Sequence, residues 1–166
     1  MNMKQGLPIG LLGAALCLLT ACDDSSNGNS SGGGGGGGVS GGATINVSGN
    51  ITSLSDIVGV YEDFYDEGGG IIDEIYIEIA ADGTVWEHDY QGDSYHQGPN
   101  CYDIWEWDEI EHRGGNTFYS DMSFAEFEAR FENNRLIMDY GNGWEEEYGP
   151  KVNIDPANFR AAECTD

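Results

Sequence analysis

The chain has 166 residues, with 30 acidic against 6 basic side chains and a net charge of −24. A surface this acidic repels phosphate backbones and anionic lipid headgroups, so nucleic acid is excluded as a partner and membrane contact through charge is disfavoured. The acids recur along several segments instead of clustering at one ligand-like spacing, which favours a solvated, self-repelling surface. Divalent-cation binding and a basic protein partner remain open beside that reading.

In chain order, Lys4 precedes an apolar run over residues 7–19, too short to span a bilayer as a permanent helix, and small residues lead into Cys22. This is the pattern of a secretory leader. Leu19-Thr20-Ala21-Cys22 resembles the lipobox of bacterial lipoproteins. The resemblance implies cleavage after residue 21, acylation of Cys22, and a membrane-anchored protein outside the cytoplasm. One acyl chain holds only marginally, at about 0.8 kcal/mol per buried methylene, so two or three chains are needed for a durable anchor. An ordinary secreted protein with an incidental Cys22 is the plainer alternative. Asp23 follows the cysteine, a position where aspartate favours inner-membrane retention in enteric lipoproteins; inner or outer membrane stays open. Residues 22–43 then form a Ser/Asn/Gly-rich tether containing seven consecutive glycines at 32–38. The 19 residues from 25 to 43 would reach roughly 25 Å as a random coil.

Residues 44–166 are expected to form one all-β domain, large enough for one modest core. Alternation and turn residues predict strands at 57–65, 75–79, 84–91, 102–111, 117–121, 126–132, 135–140 and 144–148. Asp82-Gly83 suits a tight hairpin because both residues tolerate positive φ. Asn133-Asn134 and Asn142-Gly143 mark further turns. The break in phase at Trp105 and Trp107 predicts a bulge. Ser123-x-x-Glu126 resembles a helix capping box, but the period of two through Phe131 favours a strand there. Cys101 and Cys164 pair naturally as a disulfide in an oxidising compartment, stapling the tail over 153–166 onto the body. The bridged loop is worth about 4 kcal/mol in the chain-entropy model.

Consecutive short strands favour a meander closing into a small barrel, because closure removes exposed edges. Gly59-Val60-Tyr61 resembles the Gly-x-Trp opening of lipocalin-like domains, with Tyr61 in the Trp position. Residues 76–79 running into Asp82-Gly83-Thr84-Val85 resemble the second and third strands of small lipocalin-like lipoproteins. The resemblance spans about residues 57–151, implies an up-and-down barrel with an interior pocket, and brings no catalytic residues with it.

The alternation places Trp86, His88 and Tyr90 on one face and Trp144, Glu146 and Tyr148 on another. With those faces inward, the six would line a site for a small apolar ligand. The competing reading makes them rim or packing groups of a filled barrel. The hairpin carboxylates Asp63, Asp66, Glu67 and Asp73 flank Gly68-Gly69-Gly70 and are candidate calcium ligands, though not at EF-hand spacing. His88, His96 and His112 lack metal-hydrolase spacing, and no Gly-x-Ser-x-Gly or His-Glu-x-x-His motif occurs. The expectation is therefore a monomeric, non-enzymatic, lipid-anchored envelope protein without a cofactor. It would act as a binding module for a small apolar ligand, as an accessory protein contacting an envelope partner, or as a calcium-stabilised domain.

Overall fold

The computed structural model describes residues 42–165. The leader, Cys22 and nearly all of the tether lie outside the described residues. Eleven strands and two short helices follow in order: α1 (Leu54–Ile57), β1 (Gly59–Glu62), β2 (Tyr65–Gly68), β3 (Ile71–Asp73), β4 (Ile75–Ile79), β5 (Thr84–Tyr90) and β6 (Tyr102–Gly114). They continue as β7 (Thr117–Ser120), β8 (Ala125–Glu132), β9 (Arg135–Gly141), β10 (Trp144–Tyr148), β11 (Lys151–Val152) and α2 (Ala157–Ala161).

Nine strands make one antiparallel sheet in the order β10-β9-β8-β7-β6-β5-β4-β1-β11, and β2-β3 form a separate hairpin. From β4 to β10 each strand pairs with the next, the meander that turn spacing implied. Among the described residues no ladder joins β10 to β1 or β11, so the expected barrel closure is not seen. Residues 125–132 are a strand, not the helix that the capping-box pattern allowed. The expected first strand is divided: α1 takes its start, and β1 covers only Gly59–Glu62.

The turns behave as their residues dictate. Asn133 and Asn134 both sit at positive φ between β8 and β9, a conformation that asparagine tolerates better than most residues. Between β4 and β5 only Gly83 goes positive, at φ 98°. A Cβ there would lie 2.3 Å from the Ile110 carbonyl oxygen, so the position needs glycine for space as well as for conformation.

The sheet buries both faces, and this decides where a site can be. On one face, Tyr61, Ile77, Val85, Phe118, Phe127 and Met138 belong to a single apolar cluster drawn from β1 and from β4 through β9. A sheet whose distant strands share one cluster must curl around it. Ile51 and Ile57 join that cluster, so the segment around α1 packs into one end of the curl. On the opposite, convex face, Val60, Tyr76, Tyr102, Ile154 and Phe159 form a second cluster under the C-terminal tail. The Cys101–Cys164 bond holds the tail there, with the two Cα atoms 4.9 Å apart. The tail is more regular than its sequence suggested: β11 pairs with β1, and α2 buries Phe159 completely.

Candidate functional site

Strand β5 supplies the site. Its pairing sets Ile77 opposite Glu87 and Ile75 opposite Asp89, so Val85, Glu87 and Asp89 share the concave face. Trp86, His88 and Tyr90 therefore face the convex side. The inward placement that a ligand site would need is not seen for these three, and they are packing groups instead. His88 is fully buried, stacks on Phe159 with ring centroids 4.3 Å apart, and donates from Nε2 to Glu78 Oε2 at 3.0 Å. Arg160 from α2 also reaches Glu78, 3.1 Å away, and its guanidinium lies over Trp86. Tyr90 packs on Tyr102 and donates to Asn100. These three residues pack at the tail and are not among those that line the cup. Alternation identified the two faces correctly, but the tail gives the second face its own apolar cover, which strand periodicity alone does not reveal.

From β10, Glu146 and Tyr148 do reach the concave side, opposite Met138 and Leu136. Trp144 does not. A register shift between Trp144 and Glu145 takes it out of phase, and it stacks on Tyr140 at 4.2 Å while remaining about half exposed. The six predicted ligand residues are thus divided between two faces, and only Glu146 and Tyr148 line the cup.

The cup has a volume of about 700 Å³, within the range of small-molecule sites. Its floor is apolar, with Ile75, Ile77 and Tyr148. Phe64, Tyr65, Trp107 and Met122 also line it, and each keeps 40–50% of its surface, as expected of residues at a mouth. Trp107 arrives there through the bulge anticipated from the sequence. Val85 and Trp86 pair with Asp108 and Glu106, leaving Trp107 as the extra residue that the bulge re-aims. Burial drives the phenol of Tyr148 well above its ordinary pKa.

Charge in the cup is one-sided. Asp63, Glu87, Glu146 and Glu147 line it against Arg135 alone. Arg135 is paired with Glu147. Asp63 accepts from the Tyr65 hydroxyl at 2.9 Å, and Glu146 accepts from Tyr140 at 3.3 Å. Burial raises the pKa of both carboxyls. Glu87 has no hydrogen bond or ion pair among the described residues. Burial, reinforced by the negative charges of Asp89, Asp63 and Asp73, pushes its carboxyl up to about 7.

Beside the cup stands a group able to hold a metal ion. One ligand atom each from Asp73, Asp89, Asp93 and His96 lies within 4.8 Å of the others. Asp93 builds this arrangement: its Oδ1 accepts the backbone N–H of Tyr95 and His96, and its Oδ2 accepts that of Glu74. Those bonds fold the loop after β5 back over the sheet and bring His96 to 3.5 Å from Asp89 and 3.2 Å from Asp93. Oδ1 of Asp73 and Oδ1 of Asp89 are buried without a hydrogen-bond partner. Burial raises the pKa of both aspartates, while His96 opposes the rise. Of the four hairpin carboxylates proposed from sequence, only Asp73 takes part. Asp66 accepts from the Gly68 N–H at the hairpin tip, Glu67 is exposed, and Asp63 faces the cup. Asp89, Asp93 and His96 were missed because the loop that gathers them carries no metal-ligand spacing.

Comparisons with family models, with curated proteins and with solved structures gave no match. Among the described residues no helix is long and apolar enough to cross a membrane.

Proposed function

We propose that this chain is an exported, lipid-anchored envelope protein whose β domain is a non-enzymatic binding module for a small, largely apolar ligand. The observation that carries this reading is the cup: about 700 Å³, apolar at its floor and aromatic at its mouth. The packing of α1 against one end of the sheet agrees with a site that opens at the other. We read the curled meander as a lipocalin-like barrel left ajar. In its favour, the Gly149-Pro150 link carries the chain from β10 past β1. There Gly149 donates to the Glu62 carbonyl and Glu62 donates to that of Pro150, each at 3.0 Å. The anchor rests on Leu19-Thr20-Ala21-Cys22.

Native mass spectrometry of the purified protein tests the binding role, with a co-purifying small molecule as the expected result. A bare mass, together with no uptake of apolar probes, would refute it and favour an accessory protein acting through its acidic exterior. For the anchor, Cys22→Ser should move the protein from the membrane fraction to the soluble fraction.

A second reading, divalent-cation binding at Asp73, Asp89, Asp93 and His96, is favoured by the two buried aspartate oxygens that lack partners. One imidazole among three carboxylates suits manganese or zinc better than calcium, which takes oxygen donors.

A further inference from the structure

We propose that the cup selects small organic cations, an apolar or aromatic body bearing one ammonium group that pairs with Glu87. This rests on the cup being a ligand site and adds the chemical class of the ligand.

Three observations converge. The first is the state of Glu87. Its cross-strand neighbours are Ile77 and Trp105, and it has no hydrogen bond or ion pair among the described residues. A half-buried carboxylate beside apolar side chains is costly until a cation meets it. The other lining carboxylates are already engaged: Asp63 by Tyr65, Glu146 by Tyr140, and Glu147 by Arg135. Glu87 is thus the acid left for an incoming ligand.

The second is the sign of the field. With Arg135 neutralised by Glu147, the remaining lining charges are all acidic, and the chain around them carries a net charge of −24. An anionic ligand would be repelled during approach and again inside the cup. The third is the mouth. Phe64, Tyr65 and Trp107 are half-exposed rings on the route in, and aromatic faces attract ammonium groups while packing against an apolar body. An uncharged apolar ligand would use the floor and the rings but leave Glu87 unpaired.

The test holds the apolar body constant and varies the head. Purified full-length protein is titrated with 4-phenylbutylamine, 4-phenylbutanol and 4-phenylbutyrate, in chelator, by calorimetry and tryptophan fluorescence. The amine should bind about tenfold more tightly than the alcohol, and the carboxylate should bind more weakly than either. Glu87→Gln should abolish the preference for the amine over the alcohol, with circular dichroism confirming that the variant is folded. Equal binding of amine and alcohol, unaffected by Glu87→Gln, would overturn the cation preference while leaving the cup as an apolar site. No binding by any of the three would overturn both.

Discussion

Replacing Glu87 by glutamine should change how stability depends on pH. In the folded protein this carboxyl is pushed from 4.5 up to about 7, by burial first and then by Asp89, Asp63 and Asp73. The folded state therefore holds its proton more firmly than the unfolded chain does between pH 4.5 and 7. Stability must fall as pH rises through that window, being unpenalised below it and fully penalised above it. The full rise sets a ceiling of about 3 kcal/mol at pH 8. Because the carboxyl faces an open cup, water screens much of this, and about 1 kcal/mol is the working figure. Glutamine keeps the shape and cannot ionise. Thermal unfolding in chelator should show wild type and Glu87→Gln alike at pH 5, with the variant about 3–5 °C more stable at pH 8. Neighbouring acids with raised pKa, among them Asp63 and Glu146, slope the same way in both proteins and largely cancel in the difference. Parallel pH profiles, or a variant less stable at pH 8, would refute the reasoning.

Phe159 is fully buried against Tyr76, His88 and Tyr102. Phe159→Ala should therefore cost about 3–5 kcal/mol in denaturant unfolding, and a loss under 1 kcal/mol would mean that the tail does not pack on the convex face. Replacing Cys101 and Cys164 together by serine should lower stability by up to about 4 kcal/mol. It should also open the tail to limited proteolysis beyond residue 152, and unchanged protease resistance would show that packing alone retains the tail. Excess manganese or zinc should raise the melting temperature of the wild type, because an ion that binds only the native state must stabilise it. Asp89→Asn should remove that increase, and the absence of any increase in wild type would dispose of the metal site. Phe124 is 80% exposed at φ 53°. Phe124→Asn should be neutral or stabilising by up to about 1 kcal/mol, and a clear loss of stability would reveal packing that its exposure does not suggest.

The meander strands from β4 to β10, their hairpin turns, the bulge at Trp107 and the cysteine pairing were legible in the sequence, whereas the division of residues 57–65 and the short strands β3 and β11 were not. Each of the legible features depends on local backbone preference or on the small number of candidate partners. Alternation divides a strand into two faces by simple geometry, so Trp86, His88 and Tyr90 were correctly grouped. Which face looks into the curl is a different kind of fact. Strand β4 illustrates it: Tyr76, Ile77, Glu78 and Ile79 are all buried, two toward the cup and two toward the tail. A pattern read on the assumption of one core assigns the aromatic set to that core. Here a short C-terminal helix, tied through Cys164 to Cys101, 63 residues earlier in the sequence, creates a second one. The same long-range closure decides the site. Glu87 reads as an ordinary exposed acid until its strand is placed beside Ile77, and Asp73, Asp89, Asp93 and His96 converge only after the loop folds back on Asp93. Local chemistry determined the strands and their turns; the side on which the tail packs determined what those strands enclose.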